Sequence, residues 1–391
     1  MKVVINKSER FLRAPQALMG SMRLTEKLLK SRGLEFIDMD QVMPECPRCE
    51  AFIAKISKPE SGDHLPAEPE DINRLKDAVT GLYSRIYGNK LHPVKDIALT
   101  PGGRQTAILL CLGLVNPGQA IAVPDPGLAM YRLAAIMAGA TVQPYAILEK
   151  NDYLPNLSAL FEPPPKNLNL VFLNYPHNPT GAEADLYFYR DLINQLKYDN
   201  ILVVLDSPFC GGADPQIELP LQIKKAMNLI LELHSFGFPY GLDNLGFAIG
   251  HRGAIVNLEQ IVKASGFRPT KAQIRYALAA IEHHDGLSTE YIDKIGQRRK
   301  VLVDGLKEMG WQVRAGRLAP FIWAKAPAWA TSAGFARKLF LRTGVRTRPG
   351  TDFGENGEGY LRFSLTMPLD KITRALENIR NKPSMYRKRG G

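Results

Sequence analysis

The sequence predicts an α/β protein, with a large domain built on a mostly parallel sheet and a smaller α+β domain after it. Three observations carry this prediction. Short β-branched and apolar runs alternate with segments of helical period as far as about residue 285, several of these runs are apolar on both faces, and the pattern changes near residue 286.

The strand-like runs are, in order, 120–125 (AIAVPD), 141–147, 169–176 (NLVFLNYP), 201–208 (ILVVLDSP), 228–236 and 246–250, each closed by Pro, Gly, Asn or Asp. A run such as ILVVL is what a strand needs when helices cover both faces of its sheet. The Pro-rich segment 161–166 reads as a surface turn, because the alternation resumes after it. From 286 onward the chain reads as a long helix, a strand pair near 311–325, a helix near 330–343 and a last strand at 359–365. The expected division is an N-terminal arm with part of the small domain (1–45), the large α/β domain (46–285), and a C-terminal α+β domain ending in a basic tail (286–391). In open α/β sheets, ligands bind beyond the carboxyl ends of the strands. Chemistry is therefore sought at Pro124-Asp125, Asn174 to Asn178, Asp206, and Ser235 to Phe238.

The composition limits the functional classes. The 391 residues are 45% hydrophobic without an apolar run long enough to cross a bilayer, so a soluble protein without a membrane span is expected. The formal charge of +11 sits at the ends. Residues 1–33 hold eight basic and two acidic side chains and residues 380–391 hold five basic and none acidic, which leaves the body balanced. A nucleic-acid-binding face is disfavoured on that distribution. Residues 1–33 contain no apolar core of a secretory signal, and Glu9 and Glu26 oppose a transit peptide, so the expected compartment is the cytoplasm. The four cysteines, Cys46, Cys49, Cys111 and Cys210, are too scattered for a disulfide framework. Cys46 and Cys49 form a CxxC with no second ligand pair at zinc spacing, so they read as loop thiols and no metal is expected.

The segment Asn174-Tyr-Pro-His-Asn-Pro-Thr-Gly181 follows a strand and precedes a helix, with Pro and Gly shaping an irregular turn that presents Asn178. It resembles the NxPxNPTG segment of the fold type I enzymes that use pyridoxal phosphate (PLP), the class I/II aminotransferases. The likeness extends to Thr100–Ala107 (TPGGRQTA), Val123–Gly127 (VPDPG), Val204-Leu-Asp206, Gly246–Gly250 (GFAIG), Arg348-Pro-Gly350, Phe353-Gly354 and Gly357–Arg362 (GEGYLR), closest to the aspartate and LL-diaminopimelate branches. The resemblance implies the fold type I architecture, a homodimer, and PLP or its amine form PMP as cofactor. The backbone N–H groups of Gly103, Arg104 and Gln105, at a helix start, would face the phosphate. Asp206 matches the carboxylate that keeps the pyridine nitrogen protonated, Asn178 the amide on the ring oxygen, and Ser235 a hydroxyl on the phosphate. Arg362 matches the guanidinium that binds a small carboxylate ligand; an internal acid near Glu355 or Glu358 is the other partner considered for it.

The chain also departs from the family pattern. Phe238 stands at the position of the Schiff-base lysine, Asn244 at that of the phosphate-clamping arginine, and Phe209, Leu128, Leu65 and Val42 at positions where the family places other groups. Lys224, Lys225 and Lys263 are the nearest lysines in sequence, while His177, His234 and Tyr240 are candidates for proton transfer or simply packed side chains. On these losses the expected function is an aminotransferase-like protein with a degenerate PLP site, repurposed for binding or regulation, whose cofactor is absent or non-covalent. The alternatives are an enzyme on amino or keto acids using PLP or PMP held non-covalently, and an aminotransferase with a displaced lysine.

Overall fold

The structure is a computed structural model and describes residues 6–15, 31, 35–43, 45, 47, 49–88, 90–161, 164–196, 201–209 and 217–386. Its main sheet contains β2 (Ile97–Thr100), β3 (Ala120–Asp125), β4 (Thr141–Ala146), β5 (Leu168–Asn174), β6 (Leu202–Asp206), β7 (Ile230–Ser235) and β8 (Gly246–Gly250), in the order β2-β8-β7-β6-β5-β3-β4. The ladders from β4 through β3, β5 and β6 to β7 are parallel, and β8 runs antiparallel to both of its neighbours. This is the expected mostly parallel sheet. The pleat explains the two-sided apolar runs: Val203 and Leu205 of β6 enter one core, and Val204 enters a second core on the other face.

Helices cover both faces. On one side lie α4 (Gly103–Leu114), α5 (Ala129–Met137) and α8 (Arg252–Ala264), which give Leu110, Tyr131 and Leu258 to the second core. On the other lie α3 (Pro69–Tyr87) and α9 (Lys271–Glu282), with Val79 and Ile274 in the first core. Local chemistry sets their ends. Helix α3 begins with Pro at its first turn and stops at Gly88, which takes a left-handed φ of 73°. Helix α9 starts with the reciprocal capping box of Thr270 and Gln273.

The C-terminal part opens with α10 (His284–Glu308) and continues through an antiparallel sheet of order β12-β13-β10-β9, made of β9 (Val313–Ala315), β10 (Phe321–Lys325), β12 (Arg348–Pro349) and β13 (Tyr360–Ser364). It is covered by α11 (Ser332–Thr343) and α12 (Leu369–Arg380). The N-terminal strand β1 (Ile37–Asp38) pairs in parallel with β11 (Val345–Arg346), so residues from both ends of the chain meet beside this sheet. No described helix is long and apolar enough to cross a membrane. Cys46, Cys210 and most of the basic residues at the two ends lie outside the described residues; Cys49 is half-buried just before the helix Glu50–Ile56, and Cys111 is buried. Among the described residues no group of three or more His, Cys, Asp or Glu side chains is placed to hold a metal ion.

Candidate active site

Hydrogen bonds link the ends of β5 and β6 with β13 and the N-terminal segment. Asp206 ends β6 beside Asn174 at the end of β5, and the two residues are register partners. Asn174 organises the turn that follows: its Nδ2 donates to the Asp206 carbonyl at 2.7 Å, and its Oδ1 accepts from the Asn178 N–H at 2.8 Å. Further along, Thr180 Oγ1 lies 2.8 Å from His177 Nδ1, and Gly181 takes φ +71°. Only glycine fits at 181, since a Cβ there would lie 2.5 Å from the backbone N of Gly316.

This turn delivers Asn178 to Arg362. Arg362, on β13, donates from Nη1 to Asn178 Oδ1 at 2.8 Å and from Nη2 to the Asp40 carbonyl at 2.7 Å. Its guanidinium lies between the rings of Phe321 and Phe353, 5.4 and 5.0 Å from their centroids. Arg362 Nε is buried without an acceptor, and no carboxylate among the described residues lies within ion-pair distance of the side chain. The Asp40 carboxylate is turned instead towards Arg346 and Arg348. Burial, with the Arg348 charge adding to it, lowers the Arg362 guanidinium to about 9. No acid near Glu355 or Glu358 hydrogen-bonds Arg362: Glu358 accepts from Ser332, the two groups that bind the guanidinium are neutral oxygens, and Asp352 acts on it only through its charge.

Asp206 is the second buried charge-bearing group. Its Oδ2 accepts from the Tyr131 hydroxyl of α5 at 2.5 Å, and its Oδ1 would lie 3.4 Å from a Cβ at Gly103. The start of α4 therefore abuts the carboxylate. Burial pushes Asp206 up to about 6, while the Tyr131 hydrogen bond and His234 pull the other way. Gly102 takes φ +85° and packs against the backbone of Asn244, with Arg104 and Gln105 exposed in the first turn. The first N–H groups of a helix have no acceptor within it, and the dipole makes that end positive. Ser235, half-buried at the end of β7, accepts from the Gly237 N–H at 2.9 Å.

Phe238 is buried, its ring 5.3 Å from that of Phe209 and 5.9 Å from that of Tyr291. Segment 234–246 contains no lysine. Lys224 and Lys225 lie exposed in a 3-10 turn before β7, and Lys263 lines a surface groove with Leu65. The three candidate proton carriers each have a structural partner: His177 bonds Thr180, His234 bonds the buried Glu232, and the Tyr240 hydroxyl bonds His284. Burial lowers His177 to about 3, so it is neutral.

Sequence reasoning missed Tyr131 and Asp40. Tyr131 sits one turn into the helix that follows the Asp125-Pro-Gly127 strand end, a position from which a side chain can reach a neighbouring strand end. Asp40 offers only a carboxyl-rich DMD run at 38–40. Their partners are 75 and 322 residues away in sequence, beyond any local signal.

Comparison with known proteins bears on the same region. Residues 61–379 match the family model described as aminotransferase class I and II. The chain is 30% identical to an LL-diaminopimelate aminotransferase of Halothermothrix orenii, over 90% of this chain and 92% of that one. It is 27% identical to the enzyme of the same name from Aquifex aeolicus, over 96% and 98%. The aspartate aminotransferase structure from Thermotoga maritima superposes with a TM-score of 0.84 at 20% identity, covering 96% of this chain and 99% of that chain, which supports the fold alone. These matches correct the expectation of a degenerate protein withdrawn from transamination and repurposed for binding or regulation: relatives named as aminotransferases align along nearly the whole chain. That expectation gave the substituted positions more weight than the retained frame around them.

Proposed function

Because the chain belongs to the class I and II aminotransferase family, we propose that it is a PLP-dependent enzyme that moves an amino group between small amino and keto acids. The observation that carries this reading is Arg362, a buried guanidinium bonded only to neutral oxygens and carrying one orphaned N–H. Every amino-acid and keto-acid substrate of such a reaction has a carboxylate, and a planar guanidinium binds that group through two parallel hydrogen bonds.

The residues around Asp206 fit the cofactor. A carboxylate buried against one hydroxyl, with its pKa raised, would gain a counter-ion from a protonated ring nitrogen. The N–H groups of Gly103, Arg104 and Gln105 would hold the phosphate at the positive end of α4, with Ser235 beside them. When bound, PLP supplies an electron sink for the bonds at the amino-bearing carbon. The protein's part is to orient: Asn174 fixes the turn, Asn178 and the Asp40 carbonyl aim the Arg362 fork, and Phe321 and Phe353 keep water from it. Phe238 provides no amine, so PLP or PMP would be held through these contacts without a covalent bond from that position. The names of the relatives make LL-diaminopimelate the first donor to test, and a cytoplasmic homodimer belongs to the same proposal.

The experiment is to titrate the purified protein with PLP and follow its absorbance, reduce with borohydride and map peptides by mass, then assay amino transfer from LL-diaminopimelate and glutamate. Saturable binding, no label in 234–246 and measurable transfer are expected. A protein that neither binds PLP nor transfers an amino group under any of these conditions overturns the reading.

A further inference from the structure

A cleft of about 970 Å³ lies between α10, the edge strand β9 and the chain that follows Gly181, apart from the Arg362 region. One face of α10 lines it through Gly296, Arg299, Lys300, Val303, Asp304 and Lys307, spaced by threes and fours as a single helical stripe requires. Five acidic and five basic residues line the cleft, so its formal charge is balanced, and what matters is which groups are already partnered.

All five acids are partnered internally. Asp152 accepts from Arg314, Glu183 from the Arg317 N–H, Asp185 from the Phe188 N–H, Glu218 from the Leu186 N–H and Asp304 from Lys300. Of the five bases, Arg314 and Lys300 are consumed in those pairs, and Arg317 is partnered as well. Arg299 donates from Nη2 to the Arg317 carbonyl, but its Nε is buried without an acceptor, and burial lowers its guanidinium below the usual value. Lys307 is exposed at the rim, and its ammonium is bonded to no described residue. The two lie eight residues apart on one helix face, roughly 12 Å along the axis at 1.5 Å per residue.

We propose that this cleft is a binding site for a small organic molecule bearing two anionic groups, one held by Arg299 inside the cleft and the other by Lys307 at its rim. The spacing asks for two heads on a short chain, and the open cleft has room for a small ligand. Arg299 suits the buried head because its planar donors match a carboxylate or phosphate; the flexible Lys307 suits the exposed one.

The test uses the PLP-treated full-length chain, with calorimetric titration of adipate as the two-headed probe and acetate and inorganic phosphate as one-headed comparators. Adipate is expected to bind at least tenfold more tightly than acetate or phosphate, and Arg299→Gln and Lys307→Gln are each expected to reduce it to the one-headed level. Such a tenfold loss corresponds to the smaller end of a charge-assisted contact. Arg362→Gln should leave this binding in place. If adipate binding disappears in Arg362→Gln and survives in both α10 variants, the dianion sits in the other site and the proposal fails. Equal affinity for acetate and adipate also overturns it. Lys307 is exposed, so its variant is expected to fold even if the Arg299 variant does not.

Discussion

At Arg362, burial has lowered the guanidinium to about 9; its hydrogen bonds go to two neutral oxygens, it lies against two aromatic faces, and the charges of Asp40 and Asp352 act on it only at longer range, so a carboxylate bound there would supply its first direct ion pair. Arg362→Lys keeps the charge but loses the fork. It should reduce kcat/KM for amino-acid donors by roughly 10- to 100-fold, the size of a charge-assisted hydrogen-bond pair; steady-state kinetics on the best donor measures it. Asp206 leads to a stability prediction. Its folded value of about 6 exceeds the ordinary carboxyl value, so the folded chain holds the proton more tightly than the unfolded chain does. The contribution of this group to the stability of the cofactor-free protein is therefore fully present below about pH 4 and is lost as the pH rises through about 6, about 2–3 kcal/mol in all. Urea titrations at pH 4 to 7 should show that decline in the wild type and not in Asp206→Asn, which should also bind PLP less well. Asp206, Asn178 and Arg362 were legible in the sequence because each sits in a run with its own turn chemistry or family spacing. Tyr131 and Asp40 were not, because what makes them matter is a partner on a distant element.

Among elements, the turn 174–181 has the most to lose from one change. Asn174 closes it from both sides, so Asn174→Ala leaves the Asn178 N–H and the Asp206 carbonyl without partners in a buried place and should cost about 2–4 kcal/mol by chemical denaturation. Thr270→Ala, which removes a cap at a partly exposed helix start, should cost only about 1 kcal/mol in the same assay. Strands β3 and β8 coincide with the runs read from sequence, since their apolar patterns and closing residues are local facts. The run at 201–208 is strand only over Leu202–Asp206, because Ser207 and Pro208 turn away at the site. Strand β2 was absent from the sequence reading: four residues, IALT, are too few to show a period, and only pairing with β8 makes them a strand.

For the whole molecule, the seven-stranded and four-stranded sheets are joined by contacts that cross between them. Arg362 bonds Asn178, the carboxylate of Asp125 accepts from the N–H groups of Glu355 and Asn356, and α10 packs beneath the C-terminal strands. Unfolding should therefore be a single transition. The three tryptophans, Trp311, Trp323 and Trp329, all belong to the C-terminal part, so their fluorescence reports that sheet while far-ultraviolet dichroism reports the entire chain. Coincident melting curves are expected, and two separated midpoints would show that the cross-sheet bonds are too weak to couple the halves. The contact of Gly181 with Gly316 sets how closely those halves can approach. Backbone touches backbone there, with no side chain in between to adopt another rotamer, so the contact works like a machined shim whose thickness cannot be adjusted. A single methyl inserted at either glycine would spread the joint and carry Asn178 away from Arg362, so a change of one carbon would undo the alignment of the guanidinium.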